Sequence, residues 1–153
     1  MGQQPHGLLP VQLMLEHAEI DAQHNDIFCQ VEAIKAASLL DGDEASVLLA
    51  QELAGLVRFF GFHFATEERL AEEAGLDFEA HRREHQKNLR LLDKACAEQR
   101  LGKLDLRTFL RYLEYWFEHH INEYDKPFGE RLLGHGAQRL LARPGNARVE
   151  LSA

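Results

Sequence analysis

The chain has 153 residues, enough for one domain with a sizeable core, and its 45% apolar and 27% charged residues exclude a fibrous, disordered or membrane class. With 17 basic against 25 acidic residues the formal charge is −8, and no Lys or Arg cluster stands apart from neighbouring acids, so nucleic acid is not an expected partner. Two cysteines, Cys29 and Cys96, without CxxC spacing exclude a disulfide framework and read as buried or half-buried helix residues.

Residues 1 to 20 read as an N-terminal arm. Pro5 and Pro10 argue against a long helix, while Leu8, Leu9, Val11, Leu13, Met14, Leu15 and Ile20 offer apolar surface to pack across one end or face of a helical core. No positively charged stretch precedes this modest apolar patch, and no uncharged apolar run approaches the roughly 18 residues needed to span a bilayer. The expectation is a cytoplasmic protein with no membrane insertion.

Three turn signals divide the middle of the chain: Asp41-Gly42-Asp43, Gly75-Leu76-Asp77 and Gly102-Lys103-Leu104-Asp105. Each sets Gly near one helix end and Asp near the next start. The segments between them predict four helices, over about 21 to 40, 44 to 74, 78 to 100 and 106 to 133, and their short connections make neighbours antiparallel. The predicted fold is all-α: an up-down-up-down four-helix bundle over 21–133, with the arm at 1–20 and a short C-terminal extension at 134–153.

Each helix carries polar residues on its inward stripe. In the first, His24 shares a face with Ile27, Phe28, Val31 and Ile34; alone, such a histidine is more often a satisfied core residue than a ligand. In the second, Leu49, Leu53, Leu56, Phe60, His63, Glu67 and Leu70 alternate steps of four and three. An ionised Glu67 buried there needs a partner, which a metal supplies. The third presents His81 and His85 at i, i+4 beside Phe78, Leu89 and Leu92, with Arg82, Arg83 and Glu84 turned outward.

In the fourth, His120 and Asp125 are five residues apart, about 140° on an ideal helix and poorly placed for one site. Pro127 offers the remedy, because its ring and missing donor disturb the bond to Glu123; a single π-type turn is one form the disturbance can take. His6, His17, His119 and His135 fall off these stripes and read as surface residues. Among the aromatics, Trp116 and Phe117 precede His120 by one turn, and with Phe28 and Phe64 they are expected to wall a ligand pocket.

Seven donors on four successive inward stripes are hard to reconcile with accident. Five imidazoles, with two carboxylates that each touch both metals and one oxo or hydroxo bridge, fill eleven of the twelve positions around two octahedral ions. Donors of this kind suit iron, copper, nickel or zinc, but two metals with bridging carboxylates in a helical core point first to a pair of iron ions with an oxo or hydroxo bridge, leaving one position open to a diatomic ligand.

The stretches IDAQHNDIF, HFATEE, HRREH and WFEHHINEYD, in this order over about residues 20 to 133, resemble the hemerythrins, especially the single-domain bacterial ones. The resemblance implies that His81, His85 and His120 bind one iron, that His24 and His63 bind the other, and that Glu67 and Asp125 bridge them. It further implies reversible O2 binding at the iron with two histidines. Phe117 stands where Leu is common in the family, beside the expected oxygen pocket, and the arm lacks the usual tryptophan.

Three classes of function compete. The favoured one is a non-enzymatic O2 carrier, store or sensor; the alternatives are a di-iron enzyme acting on peroxide or nitric oxide, and an O2-responsive interaction module whose protein partner is unknown. Oxygen-activating ferritin-like chemistry is disfavoured because no Glu is followed by His three residues later.

Overall fold

The computed structural model describes residues 8–142, with side chains over 8–136. A short 3-10 turn at Val11–Leu13 leads into α1 (Ala18–Ala37), α2 (Asp43–Ala74), α3 (Glu79–Arg100) and α4 (Leu106–His120). A π-helical turn at Ile121–Asp125 joins α4 without a break to α5 (Lys126–Ala142). Among the described residues there is no strand. Four rods, α1, α2, α3 and the continuous α4–α5, form the expected antiparallel bundle, with α2 packed between α1 and α3.

The helix ends reflect local chemistry. Gly75 at φ 68° and Gly102 at φ 70° take the left-handed conformation that closes α2 and α3. In both closures the next amide reaches back a full turn, Leu76 N to Ala71 O at 2.9 Å and Lys103 N to Glu98 O at 2.8 Å. Asp105 caps α4 by accepting from Thr108 N at 3.2 Å. Asp77, expected to cap α3, lies one position outside it. Phe78 occupies the capping position, while the Asp77 carboxylate accepts from Glu79 N at 3.1 Å.

The inward stripes pack as one core that runs from Ile34, Leu53 and Leu92 at one end to Phe78 and Phe128 at the other. Although α2 contains an 18-residue window of mean hydropathy 1.4, a level that core helices share with membrane spans, its Leu53, Leu56, Phe60, His63 and Glu67 are all buried between neighbouring helices. Of the arm's apolar residues, Leu9, Leu13, Leu15 and Ile20 are buried, whereas Leu8 and Val11 face solvent. Two side chains of α1 hold the arm down. Asn25 accepts from Leu8 N and Leu9 N, and Asp21 accepts from Leu15 N at 2.8 Å and Glu16 N at 3.1 Å.

Two local expectations are corrected. Cys29 is exposed rather than buried, one residue beyond the stripe that Ile27 and Val31 define. The last helix runs to Ala142, past the end expected near residue 133. His6 and residues 143–153 lie outside the described residues.

Candidate metal centre

All seven candidate donors meet at one level of the bundle. His24 comes from α1, His63 and Glu67 from α2, His81 and His85 from α3, His120 from the end of α4 and Asp125 from the π turn. His81, at 7% exposure, is the least buried of them; the others are at 0 or 1%. The π turn answers the spacing problem. Lys126 N bonds to Ile121 O, five residues back, and this wider turn returns Asp125 to the face of His120, with His120 Nε2 and Asp125 Oδ1 3.2 Å apart. Pro127 supports it by withdrawing the donor that a regular α-turn would send to Glu123.

The donors sort into two groups that share both carboxylates: Glu67, His81, His85, His120 and Asp125 on one side, and His24, His63, Glu67 and Asp125 on the other. Each carboxylate turns one oxygen to each group. Glu67 Oε1 lies 3.1 Å from His85 Nε2 and 3.4 Å from His81 Nε2, while Asp125 Oδ1 lies 2.9 Å from His81 Nε2. On the other side Glu67 Oε2 is 3.2 Å from His63 Nε2, Asp125 Oδ2 is 3.1 Å from His24 Nε2, and the two imidazole nitrogens are themselves 3.1 Å apart.

These residues fit a pair of metal ions. Donors about 2.1 Å from a common octahedral ion stand about 3 Å from one another along each edge, the spacing seen here. Five Nε2 atoms converge, and Glu67 Oε2, Asp125 Oδ2 and His120 Nε2 are buried with no hydrogen-bond partner. Such orphaned polar atoms are costly in a protein interior unless something further satisfies them.

Protons stand in for the missing charge when no metal is bound. Burial acts to suppress the charge on His24 and His81, but the Asp125 and Glu67 carboxylates outweigh it and lift each imidazole to about 9. Burial prevails at His85, whose pKa is lowered. Glu67 and Asp125 remain ionised far below the usual carboxylate range despite burial, because His63 and His24 hold the first and His120 and His24 the second.

Around the donors lies a supporting set that stripe periodicity alone does not reveal. His63 Nδ1 donates to Gln23 Oε1 at 2.8 Å, Gln23 Nε2 donates to Thr66 Oγ1 at 3.1 Å, and Thr66 Oγ1 donates to Phe62 O at 3.2 Å. This buried chain fixes the tautomer of His63 so that its Nε2 presents a lone pair. A polar pair at positions 23 and 66, each one residue from a donor, is the sequence signal that could have found it. Glu68 Oε2, also on α2, stands 3.5 Å from His85 Nδ1 of α3 without hydrogen-bonding to it.

The expected pocket residues divide between the two corners. Phe117 meets the His24 ring edge-on with centroids 5.2 Å apart, and Phe28 packs on Phe117 at 5.3 Å, both at the two-histidine corner. Trp116 instead stacks on His120 at 4.6 Å, at the three-histidine corner. Phe64 serves both, stacked on His85 at 3.8 Å and tilted against His63 at 5.7 Å. Phe60, 5.6 Å from Phe117, completes the aromatic layer. Of the off-stripe histidines, His119 is exposed, His135 is half-buried on α5, and His17 accepts from Ile20 N at the start of α1.

The fold has a counterpart among solved structures. The chain is similar to the crystal structure of a wild-type hemerythrin, with a TM-score of 0.66 and 27% sequence identity over 75% of this chain and 88% of that one. No protein-family model and no curated protein matches the chain.

Proposed function

We infer from the hemerythrin-like fold and its seven converging donors that this chain binds O2 reversibly at a non-heme di-iron centre, as a carrier, store or sensor of the gas. The observation that carries this reading is the unequal division of five imidazoles about two shared carboxylates, three on one side and two on the other. Two octahedral ions held by that set and sharing a bridging oxygen would have a single open position, at the two-histidine corner. Iron held there supplies redox electrons and a binding position for a diatomic molecule.

The chain's own residues do the rest. His81, His85 and His120 would hold one ion, His24 and His63 the other, and Glu67 and Asp125 both. The two carboxylates offset part of the cationic charge in a region too buried for water to do so. Gln23 keeps His63 in its metal-ready tautomer. Phe28, Phe60, Phe64 and Phe117 exclude water from the open corner, where water and anions would compete with a neutral gas. A donor set that would fill all but one position of two octahedral ions suits binding of a small gas, and a cytoplasmic setting accompanies this reading.

Visible absorption of anaerobically reduced, iron-quantified protein tests the proposal. A charge-transfer band should appear on adding O2 and vanish on degassing, with two irons per chain. Immediate conversion to a stable oxidised spectrum would put peroxide or nitric oxide chemistry in place of carriage.

A further inference from the structure

Six of the seven donors are sealed at 0 or 1% exposure, and His81, at 7%, is the one that solvent reaches. Its side chain forms part of the wall of a surface cavity of about 220 Å³ between the start of α3 and the π turn. Phe78 and Tyr124 line the same cavity and flank the His81 ring, with centroids 4.2 and 5.5 Å from it. On its inner side His81 Nε2 stands 2.9 Å from Asp125 Oδ1 and 3.4 Å from Glu67 Oε1. One imidazole thus lies between an open cavity and both shared carboxylates.

The charge of this cavity suits a cation. Asp77, Glu79 and Glu123 line it, against one basic side chain, Arg131, whose guanidinium donates to the Asp77 carbonyl at 3.2 Å. Glu123 is exposed on the π turn, and Glu79, although 2.9 Å from Arg82, keeps 64% of its side chain in solvent. A cleft lined mainly by one sign of charge concentrates ions of the other sign and raises their rate of arrival by about 10- to 1000-fold. The two-histidine corner offers no such approach: Phe117 and Phe28 cover His24, and an uncharged aromatic layer is costly for a divalent ion to cross.

We propose that this cavity is the loading port of the metal centre. A divalent cation is drawn in by Glu79 and Glu123, passes between Phe78 and Tyr124, and meets His81 as its first donor, with Glu67 and Asp125 directly behind. Cation and gas then reach the centre from different sides, the ion past His81 and the gas at the phenylalanine-covered corner. A group that touches the ion only in passage changes uptake and release alike and leaves the equilibrium where it was, which separates a port residue from a ligand. This inference rests on the metal loading proposed for the seven donors but on none of the oxygen chemistry.

The chain carries its own reporter: Trp116, its single tryptophan, stacks on the His120 ring at 4.6 Å and senses an ion arriving at the three-histidine corner. Cobalt(II), which quenches an adjacent indole, is mixed with metal-free protein in stopped flow, and its release is followed after adding excess chelator. Glu79→Gln/Glu123→Gln should take up and release cobalt about tenfold more slowly than wild type, with a Kd within about threefold. The same charge change at the far end of α2, Asp43→Asn/Glu44→Gln, should leave both rates alone. Port-variant rates within about twofold of wild type, or equal slowing by the distant pair, would overturn the proposal. So would weaker affinity with faster release, which would make the two carboxylates supports of the bound state. A chain that takes up no cobalt removes port and centre together, whereas iron protein that loads but does not carry O2 counts against the oxygen reading alone.

Discussion

The division of labour among single residues is sharp enough to be read in metal content. Glu67 gives one oxygen to each donor group, so Glu67→Ala takes a ligand from both ions, whereas His63→Ala takes one from the two-histidine corner alone. Both variants should retain fewer than two irons per chain by metal analysis after desalting. Retention of two in either would remove that residue from the ligand set. Gln23→Leu leaves every donor in place but frees the His63 ring, and metal affinity should drop about 10- to 100-fold by competitive chelation. His119→Ala, exposed and turned from the centre, should change nothing.

Acid and base act on the same residues with opposite sign. In metal-free protein the stabilisation from His24 and His81 is complete below their unfolded value of 6.5 and is lost as pH rises through about 9. That from Glu67 and Asp125, whose values are lowered, is present above the ordinary carboxylate range and is lost as pH falls through their depressed values. The melting temperature of metal-free protein should accordingly decline between pH 6.5 and about 9, and that of metal-loaded protein should stay level there, because metal has replaced the protons. Equal slopes in the two forms would contradict the proton-for-metal exchange.

At the scale of elements, two glycines make opposite forecasts. A Cβ on Gly61 meets nothing within 4 Å, so Gly61→Ala should stabilise α2 by up to about 1 kcal/mol through helix propensity. On Gly129 it would meet Leu15 of the arm at 3.1 to 3.3 Å, and overpacking of about 1–3 kcal/mol opposes the same propensity gain. Gly129→Ala should therefore be neutral to destabilising in urea denaturation. A gain as large as that at Gly61 would mean the arm does not seat on α5.

The helices and the donor set are legible in the sequence because both depend on a single periodicity. A residue at steps of three and four from Leu56 or Phe60 must face inward whatever its chemistry, so His63 and Glu67 are placed by their neighbours. Less is visible where tertiary contacts decide. The stretch after residue 133 carries Gly134 and Gly136, which weaken helix propensity, yet α5 continues through them. Asn88 is hidden because a polar residue beside Leu89 on a mostly charged helix gives no sign of burial; the stripe His81, His85, Asn88, Leu92, Ala95 shows only once α2 and α4 are in place. Gln23 and Thr66 are hidden similarly, since their meeting spans 43 residues of chain.

For the molecule as a whole, metal and fold are expected to be one cooperative system. Donors from four helices converge on the centre, so the chain cannot unfold around bound ions without releasing them. Stripping the metal should lower the melting temperature by about 10 °C or more, and zinc should restore most of the loss in circular-dichroism melts. Separate melting of the helices, or a midpoint indifferent to metal, would contradict that coupling.

The shared carboxylates carry one more consequence, for the order in which the protein is made. Both donor groups include Asp125, contributed by the π turn late in the chain. During synthesis no segment that emerges earlier holds a complete site: His24 and His63 arrive long before the aspartate that completes their corner, and the three-histidine corner waits for the same residue. A ribosome-bound fragment ending before residue 125 thus lacks the carboxylate common to both donor groups, and the aspartate that joins the two corners also sets when the full donor set is first assembled.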